Sequence, residues 1–384
     1  MERPNEMKKI KIAVIALLAS ILIAPLAFAA QETAPLFPDI PPGALGGLGY
    51  KTLKCDLHMH TVFSDGDVWP TVRVDEAVRE GLDAVAIADH IEYQPHKEDV
   101  PTNFNRSFEI AAEPAGKKGI LLIKGAEITR DTPPGHFNAI FLDDVKPLDT
   151  NDLPDAVKAA NDQNAFIFWN HPGWKPDKKG WFDIHTTLYQ NKWLHGIEVA
   201  NGEDYYADAH KWCLEKNLTM LGNSDIHAPS LITETTPDNH RTMTLVFAKE
   251  KTPEALKEAL AEGRTAVWCK NQLIGKEDFL DAIFKASVKV GDIQRKGRRT
   301  FNLQIVNNCA LNIELQRLGD IGPAELLLPA MGTAVVQARL AKGAKRLELS
   351  YIAQNLLIAP ENGLPVKLTA LVQQAQQNKP ARRA

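Results

Sequence analysis

Hydrophobic and polar positions follow two different periods along the chain. Between residues 51 and 275, short apolar runs rich in β-branched residues alternate with stretches in which apolar residues recur every three or four positions. The runs are typical of buried strands, and the stretches are typical of amphipathic helices. This alternation of strands and helices predicts an α/β fold, with a βα barrel favoured over a short open sheet.

The segments that carry this pattern can be placed on the chain. The predicted strands are residues 53–58, 84–88, 120–124, 138–142, 166–169, 196–200, 219–222, 243–247 and 265–269. The predicted helices are residues 72–80, 153–164, 205–216 and 252–262. The barrel is therefore expected to occupy residues 51–275.

After residue 275 the period becomes two. Segments 300–306, 311–318, 333–340 and 346–351 alternate apolar and polar residues, with turn residues between them. This pattern predicts a small, sandwich-like all-β domain over residues 285–370, with a core of its own. The domain contains no histidine, so the chemistry is expected in the barrel.

The chain begins with the pattern of a secretory signal peptide over residues 1–29. Lys8, Lys9 and Lys11 precede an apolar run at 12–23, and Ala27-Phe28-Ala29 matches the small-x-small cleavage pattern. The apolar run is shorter than the ~20 residues that a membrane-spanning helix needs. We therefore expect cleavage after Ala29, export to the periplasm or the medium, and no stable membrane anchoring afterwards.

The remaining terminal segments have no periodicity. Residues 30–50 are rich in proline and glycine, which predicts an extended lead-in to the barrel. Residues 371–384 are mostly polar and predict a frayed tail.

Charge and cysteine content exclude some classes of function. The formal net charge is −4, so the chain has no basic field for nucleic acid, and we expect a small-molecule substrate. The four cysteines, Cys55, Cys213, Cys269 and Cys309, are widely spaced and form no Cys-x-x-Cys pair. They are expected to be buried free thiols rather than zinc ligands.

Histidine and carboxylate side chains cluster near the ends of the predicted strands. His58 and His60 are two residues apart on one strand, so their side chains point to the same side. The other candidates follow or flank later strands: Asp65, His90, Glu127, His136, His171, Asp225 and His227. Barrel enzymes assemble their sites from such strand ends.

These residue types suit a multinuclear metal centre. Imidazole and carboxylate are the ligands of zinc, manganese and iron, and a carboxylate such as Glu127 can bridge two cations. The number of candidates exceeds what one ion can use, so two or three divalent ions are expected. Closely spaced cations suit displacement at phosphorus, because they activate a water and hold both attacking and leaving oxygens.

Six segments together resemble the polymerase and histidinol phosphatase superfamily of metal-dependent phosphoesterases. They are Asp56-Leu57-His58-Met59-His60-Thr61, Ser64-Asp65-Gly66, Ala88-Asp89-His90, Gly125-Ala126-Glu127, Asn170-His171-Pro172 and Ser224-Asp225-Ile226-His227. The resemblance covers roughly residues 53–230 and implies a distorted, TIM-like barrel of seven strands with up to three cations. Many relatives have a histidine one residue beyond the position of Asp65, and the aspartate here resembles the exported Ser-Asp-Gly subgroup.

The same resemblance implies how the ligands divide among the ions. His58, His60, Glu127 and Asp225 would hold the first. Glu127, His136 and His171 would hold the second, and Asp65, His90 and His227 the third.

Further residues are candidates for supporting roles. Asp89 and Glu198 are expected to orient ligands from behind. Arg241 could place a guanidinium at the barrel mouth to clamp phosphate oxygens, with Lys124 and Arg130 as weaker candidates. Trp174 and Trp181 could form a pocket wall or a lid.

Three functions remain open at this point. The favoured one is hydrolysis of a phosphate ester, with a diester slightly preferred to a monoester because few cationic donors are in sight. Paired-metal barrels also hydrolyse amides and lactones. A third alternative is an inactive barrel whose β domain binds a ligand. The oligomeric state stays open.

Overall fold

The computed structural model describes residues 36–47 and 49–372. The predicted signal peptide and most of the polar tail lie outside these residues, so export stays a prediction. No helix of the described part is long and apolar enough to cross a membrane. Part of the lead-in is packed against the barrel: Phe37 lies edge-on to Trp268, with ring centroids 4.9 Å apart.

The N-terminal part alternates strands with helices, as the pattern predicts. Its strands are β1 (Lys51–Met59), β2 (Ala84–Ile87), β3 (Leu121–Ile128), β4 (Phe137–Ile140), β5 (Phe166–Trp169), β6 (Gly196–Asn201), β7 (Asp204–Tyr205), β8 (Thr219–Asn223), β9 (Met243–Ala248), β10 (Thr265–Cys269) and β11 (Gln272–Gly275). Its helices are α1 (Pro70–Arg79), α2 (Arg106–Lys117), α3 (Leu153–Asp162), α4 (Asp183–Gln190), α5 (Ala207–Lys216), α6 (Pro253–Ala261) and α7 (Glu277–Ser287). Short 3₁₀ turns cover Lys146–Leu148 and Pro176–Lys178.

The C-terminal part is all β. Its strands are β12 (Val288–Arg295), β13 (Thr300–Asn307), β14 (Ile313–Arg317), β15 (Glu325–Leu328), β16 (Thr333–Arg339), β17 (Arg346–Ala359) and β18 (Asn362–Leu371). The strict alternation of buried and partly exposed residues along β13 is what a strand with one packed face requires.

Local sequence explains the elements that were predicted. β2, β5 and β9 are buried along their whole length, which matches their continuous apolar runs. Helix α6 begins where the Thr252 hydroxyl accepts a hydrogen bond from Ala255 N and Pro253 occupies the first turn. Helix α2 was missed because Pro114 and Gly116 interrupt its apolar period.

The barrel strands form a mixed sheet. β1, β2 and β3 are parallel neighbours, β4 runs antiparallel between β3 and β5, and β5, β6 and β8 are again parallel. Between β8 and β1 the described residues form only an isolated bridge, Met59 with Ile226, supported by a 2.8 Å bond from Leu57 N to Asn223 Oδ1. A fully closed seven-stranded barrel therefore stays a prediction.

The expected separate core of the β domain is wrong. Strands β14, β15, β17 and β18 join the large sheet, because β17 pairs in parallel with β11. One apolar cluster includes Met59 and Phe247 of the barrel together with Phe301 and Tyr351 of the β domain. Alternation shows that one face of a strand is buried, but it does not show against which element. All four cysteines are buried and free, as expected.

Candidate metal centre

All nine predicted ligands lie at one edge of the barrel sheet. Most of them end or follow parallel strands, whose carboxyl ends meet at the same edge. His136 precedes its strand, which is consistent because β4 is antiparallel and its amino end reaches that edge. Four overlapping groups have donor atoms within 4.8 Å of one another: His60, Asp65, His90 and His227; His58, Glu127 and His171; His58, His60 and Asp225; and His90, Glu127 and His136.

The donor atoms around Asp65 are spaced as ligands of a shared cation would be. Asp65 Oδ1 is buried and accepts no hydrogen bond, yet it lies 3.3 Å from His227 Nε2, 3.5 Å from His90 Nε2 and 3.7 Å from His60 Nδ1. These distances exceed a hydrogen bond. Two ligands bound at ~2.1 Å to one tetrahedral ion would lie about 3.4 Å apart. The residues present therefore fit a divalent cation.

Glu127 occupies the centre of the cluster and is fully buried. Its Oε2 lies 3.5 Å from Nε2 of His58 and 3.5 Å from Nε2 of His60, without a hydrogen bond to either. Its Oε1 lies 2.9 Å from His136 Nδ1 and 3.6 Å from His171 Nε2. His90 Nδ1 also lies 2.8 Å from Oε2. The two oxygens thus face different sets of imidazoles, as a bridging carboxylate would.

The charges in the cluster are strongly coupled. Burial alone would raise the pKa of Glu127, but the charges of His90 and His58 hold that pKa well below its usual range. Burial lowers the pKa of His90, yet Glu127 and Asp65 raise it to about 10. Burial would also raise the pKa of Asp225, which the neighbouring His58 and His60 lower instead. The carboxylates therefore stay ionised, and the positive charge they need can come from imidazolium or from a bound cation.

Glu198 orients two ligands from behind the site. Its Oε1 lies 2.9 Å from His58 Nδ1, and its Oε2 accepts a 2.8 Å bond from His171 N. Asn223 and Asn201 donate to the same carboxylate at 2.9 and 2.8 Å. Because Nδ1 of His58 is engaged, its Nε2 is the nitrogen that faces Glu127. Sequence reasoning missed both asparagines, although each directly follows a predicted strand.

Asp89 acts on the loop that carries Asp65 rather than on a ligand directly. Its carboxylate accepts hydrogen bonds from Thr61 N at 2.7 Å and from Ser64 Oγ at 2.9 Å. His171 and Asp225 adopt positive φ values of 28° and 52°. Non-glycine residues in this region carry strain of order 1–3 kcal/mol, which is typical of functional sites.

The expected phosphate clamp by Arg241 is corrected by the structure. Its guanidinium is buried and donates to Glu80 at 2.7 and 2.8 Å and to Asp56 at 2.9 Å. These two carboxylates use the donors that a phosphate would need. Lys124 donates to Asp143 O, and Arg130 is paired with Glu92, so neither residue faces the cluster.

Trp174 lies at the mouth of the site as expected, whereas Trp181 does not. The Trp174 ring is 46% exposed and lies 5.6 Å from the rings of both His136 and His171. Trp181 packs inward on Trp169 and Trp212, at 6.2 and 5.7 Å. The expectation that Trp181 forms a wall or lid is wrong, because its ring joins an interior aromatic cluster.

A cavity of about 280 Å³ opens on the cluster. Besides predicted ligands and Trp174, its lining contains three residues that sequence reasoning missed: Asn201, Asp204 and Tyr206. The only sign of these residues in the sequence is that tyrosine and aspartate are frequent between β6 and α5, and this segment contains no metal-binding motif. Among the described residues, no lysine or arginine lines the cavity.

Two family models match the chain, a PHP domain over residues 56–219 and an Ig-like domain over residues 287–369. No curated protein matches the chain. A two-domain protein from Bacteroides vulgatus ATCC 8482, which contains a predicted PHP-like metal-dependent phosphoesterase, is 44% identical with a TM-score of 0.81. That similarity covers 88% of this chain and 99% of the Bacteroides protein.

Two more distant structures share less. An amidohydrolase from Chromobacterium violaceum, solved with bound sulfate and no metal, is 18% identical over 46% of this chain and 88% of its own, with a TM-score of 0.36. The lesion-specific endonuclease from Pyrococcus furiosus is 18% identical over 60% of each chain, with a TM-score of 0.38. These two similarities are too weak to support an argument about function.

The match to the Bacteroides protein spans both of its domains at well over 30% identity. The motifs that carry the cation cluster fall within or next to the matched PHP segment. The chain therefore belongs to the family of two-domain proteins with a PHP-like metal-dependent phosphoesterase domain and a C-terminal Ig-like domain.

Proposed function

We propose that the protein hydrolyses a phosphate ester with two or three divalent cations, zinc, manganese or iron, held by the nine clustered residues. One observation carries the proposal. Asp65 Oδ1 and His58 Nε2 are buried without hydrogen bonds, and they lie 3.3 Å and 3.2 Å from the nearest ligand atoms that they face, His227 Nε2 and Asp225 Oδ1. Unsatisfied buried polar atoms cost ~1–3 kcal/mol each, and bound cations would remove that cost.

The ligands divide among the ions as the resemblance implies. His58, His60, Glu127 and Asp225 surround the first position, Glu127, His136 and His171 the second, and Asp65, His90 and His227 the third. When bound, the cations supply a nucleophilic water at neutral pH and neutralise the charge that develops on the phosphoryl oxygens. Glu198 holds the imidazole of His58 in the ligating orientation, and Asp89 holds the loop of Asp65.

The cavity favours a substrate with a bulky organic substituent, so a diester is preferred to a monoester. A phosphate monoester is a dianion that is usually surrounded by cationic donors. Here the lining has no such side chain beyond the imidazoles, and Trp174 and Tyr206 provide apolar surface instead. The proposal includes membership of the exported subgroup and action outside the cytoplasm on small molecules rather than nucleic acid. The signal-peptide pattern, Ser64-Asp65-Gly66 and the net charge of −4 support it.

Elemental analysis of the purified protein, followed by a panel of esters, tests the proposal. We expect two to three divalent ions per chain, and hydrolysis that chelation abolishes and the same ions restore. A kcat/KM for an aryl phosphate monoester more than a hundredfold above that for the matching alkyl aryl diester, or ~2.7 kcal/mol, would overturn the diester preference.

Replacing Asp225 by Asn separates the proposal from its alternatives. The variant should lose both activity and bound metal. If the wild-type protein hydrolyses amides or lactones and no phosphate ester, the reaction class is wrong. If it binds cations and hydrolyses none of these, the barrel is an inactive scaffold.

A further inference from the structure

Strand β17 belongs to both domains at once. Its first half pairs with β14 and β18 inside the Ig-like domain, as in Leu315 opposite Ala353 and Leu349 opposite Leu368. Its second half pairs in parallel with β11 of the PHP part, with Leu356 opposite Leu273. The hairpin of β17 and β18 therefore extends from the Ig-like domain onto the PHP sheet.

The buried side chain of Asn355 fixes the hairpin by hydrogen bonds where it crosses from one domain to the other. Asn355 is 5% exposed, and its Nδ2 donates to Asn271 O at 2.8 Å and to Asn312 O at 2.7 Å. Its Oδ1 accepts a 3.0 Å bond from Glu314 N. Every hydrogen bond of this buried amide thus ties β17 to a neighbouring segment, so the crossing point is rigid.

Beyond Asn355, the hairpin packs on β6 and α5, the two elements that border the cavity. Leu357 is 7% exposed and lies in the same apolar cluster as Val199 of β6 and Ala209 and Cys213 of α5. Strand β17 contacts helix α5. Burial, and then the nearby charge of Glu361 in the β17–β18 turn, raise the pKa of Tyr205 to about 12.

Tyr205 and Tyr206 connect this packing to the cation cavity. Both rings pack against the cluster that contains Leu357, and Tyr206 also lines the cavity. Tyr206 N donates to Val199 O at 2.8 Å. A Cβ on Gly173 would lie 2.7 Å from the Tyr206 ring, so that ring closely covers the loop between His171 and Trp174.

We propose that the β17–β18 hairpin of the Ig-like domain positions Tyr206 in the cavity wall and so sets the affinity for substrate. This inference rests on the proposed function. The cation ligands are held by other contacts, the hydrogen bonds that Glu198 and Asp89 make within the PHP part. A loosened hairpin should therefore weaken substrate binding and leave the cations in place.

Two alanine variants of the full-length, metal-loaded protein test the proposal. Leu357→Ala removes the contact with the PHP cluster, and Leu349→Ala removes another buried leucine of the same strand, where it pairs with β18 of the Ig-like domain. We expect Leu357→Ala to raise KM about tenfold with kcat and bound metal unchanged, while Leu349→Ala leaves KM within twofold. A merely structural role would lower the thermal stability of both variants without this split.

Hydrogen exchange gives a second measurement that does not require activity. Amides of residues 203–210 should exchange faster in Leu357→Ala than in Leu349→Ala, and Leu357→Val gives the same contrast if the alanine variant does not fold. Equal exchange in the matched variants, or an equal rise in KM, would overturn the inference. Because exchange is read without substrate, failure of the proposed reaction would not be mistaken for failure of this inference.

Discussion

Two neighbouring groups of buried charges in the PHP domain differ in how their polar atoms are satisfied. Below the site, the Arg73 guanidinium donates to the carbonyls of His60, Ile226, His227 and Ala228 and to Glu76. Arg241 likewise donates to Glu80 and Asp56. In the cluster of nine predicted ligands, Asp65 Oδ1 and His58 Nε2 have no hydrogen bond.

This difference in hydrogen bonding indicates where a bound cation is needed. Buried charges that satisfy one another are part of the fold, and they help to fix the two segments that bear the ligands. Asp65 Oδ1 and His58 Nε2 are buried without a hydrogen bond, at 3.3 Å and 3.2 Å from the nearest ligand atoms, and a cation is a partner that fits them. Burial and charge by themselves therefore do not mark a functional site. Single buried atoms without a hydrogen bond also occur elsewhere, as at Trp268 Nε1 and Ser287 Oγ, so the distinguishing feature is that several such atoms are possible metal ligands in one cluster.

The largest expected effect on metal content and activity comes from removing ligands of the metal cluster. The double variant His58→Ala/His60→Ala should lower the metal content, because both imidazoles face Glu127 and Asp225, and should reduce kcat/KM by at least about a thousandfold. His240→Ala is the control, since His240 is stacked on Trp268 at 3.6 Å and should retain its metal. Full metal content in the double variant would contradict the assignment.

Substitution of Arg241 in the hydrogen-bonded network should lower the free energy of unfolding rather than activity. Arg241→Met leaves the carboxylates of Glu80 and Asp56 buried without their partner, which typically costs about 3–5 kcal/mol. Arg79→Met, an exposed arginine beside Glu80, should cost less than about 1 kcal/mol. Urea denaturation measures both. A large rise in KM with unchanged stability in Arg241→Met would instead restore Arg241 as a phosphate ligand.

A smaller effect concerns a histidine that is satisfied only as a neutral ring. His185 Nδ1 accepts a hydrogen bond from Phe182 N, and its Nε2 donates to Pro134 O. Burial lowers its pKa from 6.5 to about 4. Between these values the unfolded chain binds the extra proton, so stability is fully present above pH 6.5 and falls as pH drops toward 4, by up to about 3 kcal/mol.

Comparison of the wild type with His185→Gln isolates this contribution. The free energy of unfolding should fall less steeply between pH 6.5 and 4 in the variant. Equal slopes in the two proteins would show that His185 is protonated in the fold.

The smallest expected effect, on KM, comes from replacing an aromatic residue at the mouth of the site. Trp174 is at the mouth and Trp181 is in the interior. Trp174→Ala should raise KM for a bulky ester about fivefold, or ~1 kcal/mol, with little change in stability. Trp181→Ala should lower the melting temperature with little change in KM. The reverse result would show that Trp181, rather than Trp174, faces the substrate.

Much of the site could be predicted because its information is local. Short segments with strand periodicity place His58 and His60 on the same side of one strand. The same periodicity places His90, His171 and Asp225 near strand ends. Eight of the nine candidates needed no knowledge of which strands are neighbours, since the carboxyl ends of parallel strands meet at one edge. His136 is the exception, because it precedes the antiparallel strand β4.

The remaining features depend on contacts between distant parts of the chain. Asn201 and Tyr206 belong to the site only because β6 and α5 border the cavity. Arg241 looked free because its partner Glu80 is 161 residues away. The β domain looked independent because alternation in β17 does not reveal that Leu356 pairs with Leu273.

The sequence alone determined the PHP-like character of the chain, the clustered candidate ligands and the alternation of strands and helices, because residue type and period are properties of short segments. Only the tertiary structure decided which buried charges are satisfied by protein partners and which are left for a cation. It also decided that the Ig-like domain shares a sheet with the PHP domain. The physical reason is that hydrogen-bond satisfaction and strand pairing depend on which surfaces meet, and the periodicity of one segment carries no record of its partner.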